Sequence, residues 1–134
     1  MMNNSTPPRT KEAPIVLVKA KESYKLWLFL YKNFPRVERY GIGYKIDLQF
    51  VELLENIFRA SFLSVEKKTL GIDICISKLD ILKFLLQTSW ELKLIPTEKY
   101  SLLAHELEES GRMLGGWKKG IESKLPKATS GEHR

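Results

Sequence analysis

His105 and the carboxylates that follow it, in the stretch AHELEES, come closest to a catalytic motif in this sequence. A zinc hydrolase of the HExxH type needs a second histidine four residues after the first, so that one helix face presents both imidazoles to the metal. Position 109 is Glu109 instead, and the remaining histidine is His133. The stretch therefore lacks a metal ligand and predicts no zinc site.

Three further patterns suggest chemistry but favour a simpler interpretation. Asp73 and Asp80 are seven residues apart, on one face of a helix, and would suit a metal-dependent hydrolase, although ion pairs with nearby lysines are favoured. Gly41-Ile42-Gly43 lacks the third glycine of a dinucleotide-binding loop and the strand that precedes one, so a turn is favoured. Cys75 has no histidine base within any argued reach. We expect no catalytic residue, no metal, no cofactor and no enzymatic activity.

The bulk composition indicates a single globular domain. The chain has 134 residues, 43% of them hydrophobic, and its one cysteine excludes an internal disulfide framework. The longest apolar run, residues 26–31, is far shorter than the ~18 residues of a membrane-spanning helix. The first residues contain no apolar segment of the kind found in secretory signals. We therefore expect a cytoplasmic protein with no membrane partner.

Four segments carry apolar residues at alternate steps of four and three, the spacing of helices that pack nearly parallel. The stripes are Ala20, Tyr24, Trp27, Tyr31 and Phe34; Ile46, Phe50, Leu53, Ile57 and Ala60; Ile72, Ile76, Leu79 and Leu86 with Leu82 beside them; and Leu103, Leu107, Ser110, Leu114, Trp117 and Ile121. They predict an all-α, antiparallel up-down-up-down four-helix bundle. We assign it to residues 15–125 and expect disordered tails at residues 1–14 and 126–134.

Turn and cap residues mark the ends of these helices. Pro35 predicts the end of the first, because the residue before a proline avoids the helical conformation. Thr97 is the predicted N-cap of the fourth helix. That helix also contains four glycines, each costing about 1 kcal/mol relative to alanine. Close approach of a neighbouring backbone is one explanation, a kink or an early helix end at Gly115–Gly116 is the other, and both remain open.

Two helices carry more apolar residues than one bundle needs. A helix at the surface of a bundle buries one stripe and keeps its other face polar, yet the first and third segments are apolar almost around their circumference. A subunit interface is the favoured explanation, and a wide core stripe with scattered exposed residues is the alternative. The predicted interface residues are Leu26, Phe29, Leu30, Ile81, Phe84 and Leu85.

The positive charge is concentrated in the two ends of the sequence. The net charge is +6, and it divides into +6 for residues 1–45, −4 for residues 46–111 and +4 for residues 112–134. Antiparallel packing places the start of the first helix, the turn between the second and third, and the end of the fourth at one end of the bundle. Scattered lysines thereby become one positive field, which suits an anionic partner.

This basic end is a candidate surface for phosphate contacts, although a solvated surface with a solubilising charge is an open alternative. The candidate nucleic-acid contacts are Lys19, Lys21, Lys25, Arg59, Lys67, Lys68, Arg112, Lys118, Lys119 and Lys124. Arg112 lies in the middle of its helix, and three acidic residues, Glu22, Glu66 and Glu122, offset part of the charge.

A smaller set of basic and aromatic residues lies at the opposite end. It consists of Arg36, Arg39, Tyr40, Tyr44 and Lys45. Interleaved cations and aromatic rings suit base stacking or the docking of a protein. A structural corner with ordinary solubilising charges is the alternative.

Several stretches between residues 20 and 120 resemble one family. LWLFLYKNFPRVERYGIGYKID, ELLENIFRA, KLDILKFLLQTSWELKLI and EESGRMLGGWKK are similar to segments of the accessory variability determinant (Avd) proteins of bacterial diversity-generating retroelements. The helix-bundle proteins encoded in ribosomal RNA intervening sequences are related to them. The YGIG turn and the GRMLGGWKK stretch are the most specific parts of the resemblance.

This resemblance implies a four-helix bundle that assembles as a pentameric barrel with basic surfaces and performs no chemistry itself. It implies two further partners: nucleic acid, as template RNA or DNA, and the reverse transcriptase whose errors at template adenines diversify a target gene. We expect a homo-oligomeric accessory protein that supports mutagenic reverse transcription. The alternative is a structural or protein-docking bundle of the intervening-sequence type, with no role in a retroelement.

Overall fold

The computed structural model describes residues 14–125, in which it contains four long helices, one short helix and no strand. The helices are α1 (Ile15–Tyr31), α2 (Arg36–Arg39), α3 (Ile42–Ala60), α4 (Val65–Glu91) and α5 (Thr97–Glu122). The tails predicted at residues 1–14 and 126–134 lie outside the described residues, apart from Pro14. The carbonyl of Pro14 accepts the backbone N–H of Leu17 at 2.9 Å and opens α1.

The four long helices alternate in direction along the chain. α1 packs against α3 and α5, and α4 packs against the same two helices, so that α1 and α4 lie diagonally opposite each other. Lys68, near the start of α4, contacts Ala60 at the end of α3, and Lys78 further along α4 contacts Glu52 earlier in α3. This pairing requires antiparallel neighbours. The predicted all-α four-helix bundle is confirmed.

The predicted stripes form the core. All their members are buried except Tyr24, Tyr31, Ile76 and Trp117, which are half-buried against it. In α4 the side chain that is fully buried at this level is Cys75, and its neighbour Ile76 is only half-buried. Full burial stabilises an aliphatic side chain by about 1.5–3 kcal/mol relative to exposure, so these stripes hold the helices together.

A layer of aromatic residues joins α1 to α3. The rings of Trp27 and Phe50 are stacked with centroids 6.2 Å apart, and Phe34 meets Trp27 edge to face at 5.4 Å. Within this layer, Asp47 accepts hydrogen bonds from the hydroxyl of Tyr24 at 2.9 Å and from the indole N–H of Trp27 at 3.2 Å. One carboxylate therefore satisfies the polar atoms of two largely buried rings.

The corner between α1 and α3 contains the short helix that the sequence analysis did not predict. Pro35 precedes α2, as its fixed φ favours, and Gly41 precedes α3. Gly43 is buried within α3, where an added Cβ would lie 2.8 Å from the ring of Tyr31 and 3.0 Å from the carbonyl oxygen of Glu38. The predicted turn is present, and close packing is what requires glycine at position 43.

Two expectations about α5 are corrected by the structure. The residue that caps its start is Pro96, and Thr97 is the first helical residue, whose hydroxyl accepts the indole N–H of Trp90 at 3.0 Å. α5 also runs unbroken through Gly115 and Gly116 to Glu122, so an early helix end at these glycines is wrong. An added Cβ at either glycine would meet nothing within 4 Å in the described chain, so close approach inside this chain does not explain them.

Candidate nucleic-acid interface

The end of α3, the start of α4 and the end of α5 meet at one end of the bundle, which we call the basic end. Lys68 lies at its centre, where its ammonium group donates to the carbonyl oxygens of Ala60 at 3.2 Å and Ser61 at 3.0 Å. These carbonyls lie at the C-terminal end of α3, where a lysine also suits the helix dipole, and that of Ala60 accepts the backbone N–H of Leu63 as well, at 3.2 Å. Burial lowers the pKa of Lys68, and the nearby charge of Lys124 lowers it further.

Four other cations at the basic end form no ion pair within residues 14–125. Arg59 donates to the side-chain oxygen of Asn56 at 3.3 Å. Lys67, Lys119 and Lys124 are exposed at the start of α4 and the end of α5. Two exposed carboxylates, Glu66 and Glu122, lie on the same first and last turns. The cations outnumber the acids, which leaves a positive field at this end.

Lys118 is at the basic end but is neutralised. Its ammonium group lies 2.7 Å from a carboxylate oxygen of Asp73 on α4 and 4.0 Å from Glu122. The hydrogen bond to Asp73 raises the pKa of Lys118. Asp73 thus forms the kind of ion pair that was favoured over a metal site. A lysine held between two acids has little charge to offer a phosphate.

Two more of the predicted contacts lie away from the basic end and are also paired. Lys19 contacts Glu106 at 2.6 Å across α1 and α5, and this hydrogen bond raises the pKa of the lysine. Arg112 forms an ion pair with Glu109, and its hydrogen bond lowers the pKa of that carboxyl. The structure therefore does not bring Lys19 and Arg112 into the basic end.

Lys21 and Lys25 are exposed but lie further along α1. Lys25 follows Tyr24, whose hydroxyl contacts Asp47 near the start of α3, and α3 begins at the opposite end of the bundle. At a rise of about 1.5 Å per residue, Lys25 lies roughly 15 Å from the start of α1. These two lysines extend the positive surface along α1 rather than adding to the basic end.

The small set at the opposite end is split by its own hydrogen bonds. One guanidinium nitrogen of Arg39 lies 3.3 Å from the carbonyl of Lys32 and 3.4 Å from that of Phe34, so this side chain fastens the corner. The other members, Arg36, Tyr40, Tyr44 and Lys45, are exposed. Tyr40 is 71% exposed and Tyr44 54%. An exposed patch around α2 is therefore present, and it includes Arg39, which is exposed and keeps its positive charge although its guanidinium is held against the corner.

The predicted interface residues fall on two separate surfaces. On α4, Leu70, Ile74, Ile81 and Phe84 are exposed on the face away from the core, and Leu85 is half-buried beside them. The outward-facing positions follow alternate steps of four and three, the spacing of a helix seam that receives another helix: Leu70, Ile74, Ser77, Ile81, Phe84 and Thr88. We call this row the α4 stripe. Leu70 and Ile74 belong to this surface but were not among the predicted interface residues, although their spacing is visible in the sequence.

The second surface is a groove of about 280 Å³ between α1 and α5. Leu26, Phe29 and Leu30 line its α1 side, and Leu102 lines its α5 side. Phe29 is 66% exposed and carries the ammonium group of Lys32 at 4.9 Å from its ring centroid. Because α1 and α4 lie diagonally opposite each other, this groove and the α4 stripe lie on different sides of the bundle.

None of the helices in residues 14–125 combines the length and the apolar character needed to cross a bilayer. In the same part of the chain, no three His, Cys, Asp or Glu side chains come together in an arrangement that would hold a metal ion. Burial raises the pKa of the Cys75 thiol to about 11, which keeps it in its less reactive protonated form.

A four-helix bundle with a cation-rich end and an exposed apolar stripe has the features of a small helical binding protein. A family model described as bAvd-like matches residues 15–121, most of the chain, so the chain belongs to the bAvd-like family. The resemblance seen in the sequence is thereby confirmed. The family is an accessory, non-catalytic one, and membership indicates an accessory role in diversity-generating retroelements. No curated protein matches the chain.

Proposed function

We propose that this protein is a non-catalytic accessory protein of a diversity-generating retroelement. It holds nucleic acid at its basic end, docks on the reverse transcriptase and supports mutagenic reverse transcription of template RNA. The exposed patch around α2 is the surface offered to the polymerase. The contacts are positional, because lysines at a helical surface bind phosphates and carry little information about base sequence.

One observation supports nucleic-acid binding above all others. Five cations meet where α3 ends, α4 begins and α5 ends, and none of them forms an ion pair within residues 14–125. They are Arg59, Lys67, Lys68, Lys119 and Lys124. Along the sides of the bundle Lys19, Lys78, Lys83 and Arg112 are paired with acids, whereas at the opposite end Lys32, Arg36, Lys45, Lys93 and Lys99 form no ion pair within residues 14–125 either. Charge left without an acidic partner is charge available to phosphate groups.

We also propose that the chain acts as a homo-oligomer, a pentameric barrel. The α4 stripe and the α1–α5 groove support this, because two complementary apolar surfaces on different sides of a protomer suit head-to-tail contacts that close a ring. A ring repeats the basic end once per protomer and so multiplies its field. Light scattering that gives a mass near the 15.5 kDa of one chain would contradict the ring.

A second function, protein docking by a structural bundle of the intervening-sequence type, is favoured by the α4 stripe. Its exposed leucine, isoleucine and phenylalanine side chains suit a partner helix and have no use for phosphates. The two functions differ in their response to salt. Phosphate contacts release counterions, whereas an apolar contact does not weaken as salt is added.

The test is the binding of RNA and duplex DNA measured by fluorescence anisotropy over a range of salt concentrations. We expect the logarithm of the binding constant to fall with the logarithm of salt, with a slope of about −0.9 for each duplex phosphate neutralised. The double variant Lys67→Gln/Lys124→Gln should make the slope shallower by about two such contacts. A flat response of the unchanged protein would leave only the docking function.

Lys83→Gln is the matched control, because it removes the same kind of charge from a lysine that is already paired with Glu108 at 3.1 Å. We expect its salt slope to equal that of the unchanged protein. If the control and the double variant lose affinity equally, the net charge of the protein governs binding and the basic end has no special role.

A further inference from the structure

Two tyrosine rings in the patch around α2 have faces that no other ring covers. Tyr40 and Tyr44 are each more than half exposed. Neither side chain stacks on another ring or forms a hydrogen bond within residues 14–125. Aromatic faces left in water forgo the burial that stabilises most rings, so these two require an explanation beyond the fold of one chain.

The corner that carries these rings is held by close contacts. The hydroxyl of Tyr31 donates to the carbonyl of Arg39 at 3.1 Å, and the ring of Tyr31 packs against Gly43. Burial is the main cause of the raised pKa of Tyr31, and Tyr40 and Tyr44 are both near enough to add to it. The two exposed side chains therefore stand close to one hydroxyl, on a tightly packed corner.

Positive groups surround the two rings. Arg36 lies one turn before Tyr40, and Lys45 follows Tyr44 directly. Both cations are exposed and form no ion pair within residues 14–125. The guanidinium of Arg39, also exposed, is held at the corner by backbone carbonyls. Between the first and the last of these cations the sequence has one acidic residue, so ring faces and positive charge share this stretch of surface.

We propose that the patch around α2 also binds single-stranded nucleic acid: Tyr40 and Tyr44 stack on unpaired bases while the surrounding cations contact the neighbouring phosphates. This rests on the proposed function and deepens it, because the polymerase then meets the patch together with the template strand that it carries. In a single strand the bases turn outward and stack on aromatic faces, and lysine and arginine follow the backbone. In a duplex the ring faces of the bases are covered by their neighbours.

The rings and the charge together favour a single strand over a protein at this contact. An apolar helix docked here would bury Arg36, Arg39 and Lys45 without partners, which is costly. An acidic segment of a protein would supply the charge but no flat ring to cover the two tyrosines. A single strand supplies phosphates and bases at once.

Two other exposed rings suit this role less well. The ring of Phe58 meets that of Phe62 edge to face, with the centroids 4.9 Å apart. Phe29 lines the α1–α5 groove, and the ammonium group of Lys32 lies 4.9 Å from its ring centroid. Each of these rings therefore already has another side chain over or beside it.

The experiment compares Tyr40→Leu/Tyr44→Leu, which keeps apolar bulk but removes both rings, with Tyr40→Phe/Tyr44→Phe, a matched control that removes only the hydroxyl groups. Both are made in the Lys67→Gln/Lys124→Gln background, which weakens the basic end so that the remaining binding reports on the patch around α2. The probes are a single-stranded RNA, a single-stranded DNA of the same sequence, the corresponding duplex DNA and a polyglutamate peptide. Each is titrated over a range of salt concentrations.

We expect the leucine variant to bind both single strands at least about fivefold more weakly than its background at every salt concentration. Its salt slope should not change, because stacking on a base releases no counterions. Its affinity for duplex should not change either. The phenylalanine variant should bind all the nucleic-acid probes as tightly as its background, since the ring faces are intact.

Several results would overturn the stacking contact. Unchanged single-strand affinity in the leucine variant would do so, as would equal losses for single strands and duplex. Equal losses in the leucine and phenylalanine variants would show that the hydroxyl groups make the contact and the ring faces do not. A leucine variant that loses affinity for polyglutamate alone would assign the patch to an acidic protein segment.

The same titrations separate this inference from the proposed function. If the unchanged protein binds the single strands but Lys67→Gln/Lys124→Gln binds none, the basic end takes the nucleic acid without the patch around α2, and only this inference fails. If the unchanged protein binds no nucleic-acid probe, the proposed function fails and the inference fails with it.

Tyr40→Trp keeps the proposal testable if the leucine variant does not fold. A base stacked on an exposed indole quenches its emission, so the single strands should quench this variant more than the unchanged protein. The unchanged protein, with its own Trp27, Trp90 and Trp117, supplies the reference. Equal quenching of the two proteins at saturating single strand would exclude a ring–base contact at position 40.

Discussion

At the scale of single residues, the carboxylate of Asp47 has the most consequence for the fold. It accepts hydrogen bonds from Tyr24 and Trp27, both on α1, and so links α1 to α3 inside the aromatic layer. Burial, followed by the hydrogen bond to Asp47, raises the pKa of Tyr24 to about 12. The fold therefore favours the neutral phenol over the phenolate.

The sign of the pH dependence follows from that shift. The folded-state pKa of Tyr24 is above its value of about 10 in the unfolded chain, so its contribution to stability is complete below pH ~10 and is lost as the pH rises towards 12. Tyr24→Phe should cost about 1 kcal/mol at neutral pH through the lost hydrogen bond, and should show a smaller fall in stability between pH ~10 and 12. Urea unfolding of both proteins across this range checks it. If the free energies of unfolding of the two proteins change with pH in parallel, the raised pKa of Tyr24 is contradicted.

At the scale of helices, glycines in α3 and α5 have opposite effects on stability. Gly43 sits against Tyr31, Phe34 and the backbone of Glu38, where a methyl group has no room. Gly115 faces open space in the middle of α5. A single substitution, glycine to alanine, therefore distinguishes a glycine that the packing requires from one that only weakens a helix.

We expect Gly43→Ala to lower the free energy of unfolding by about 1–3 kcal/mol, because the corner between α1 and α3 must open. Gly115→Ala should raise it by up to about 1 kcal/mol through better helix propensity. Thermal unfolding of the two variants is the measurement. If Gly115→Ala instead lowers the mass of the assembly, a second chain approaches α5 at that glycine.

At the scale of the whole molecule, assembly and nucleic-acid binding are linked in the proposed ring. Ile81→Glu places a charge in the middle of the α4 stripe, where the side chain is 48% exposed in a single chain. We expect the variant to fold, because that face does not enter the core, and to give a mass near 15.5 kDa by light scattering. Its lysines are intact, yet its affinity for RNA should fall, since one basic end replaces several.

Leu48→Glu is the control, because Leu48 is an exposed leucine of α3 outside both apolar surfaces. Mass and affinity should remain those of the unchanged protein. Two outcomes would count against the linkage: a monomeric Ile81→Glu that binds RNA as tightly as before, or a Leu48→Glu that also dissociates the assembly.

The core could be predicted from the sequence, and the charge pairing could not. The four-three stripes predict burial because each helix has one face that the others can cover, and residues such as Ile46, Phe50 and Leu53 lie where this spacing places them. Whether a lysine meets an acid depends on the rotation and height of two helices relative to each other. Lys19, Arg112 and Lys118 were therefore grouped with the free cations although each has an acidic partner.

Exposure on the outer faces was only partly predictable. The α4 stripe repeats the helical spacing on the side away from the core, so Leu70 and Ile74 had a signal that the sequence analysis did not use. Phe58 follows the buried Ile57 and so faces outward, but its pairing with Phe62 depends on how the chain turns after α3. The four-residue α2 results from a tight corner and has too short a pattern to predict.

The polar contact inside the aromatic layer also decides how far α1 can slide. The apolar contacts between α1 and α3 repeat with every turn, so a displacement by one turn, about 5.4 Å, would exchange one set of aliphatic neighbours for a similar set. Asp47 finds both of its donors at only one of these alignments. Elsewhere its carboxylate would face apolar side chains without partners, at a cost of about 1–3 kcal/mol or more. A single acid thus selects one register for the pair of helices, as isolated polar residues do in coiled coils.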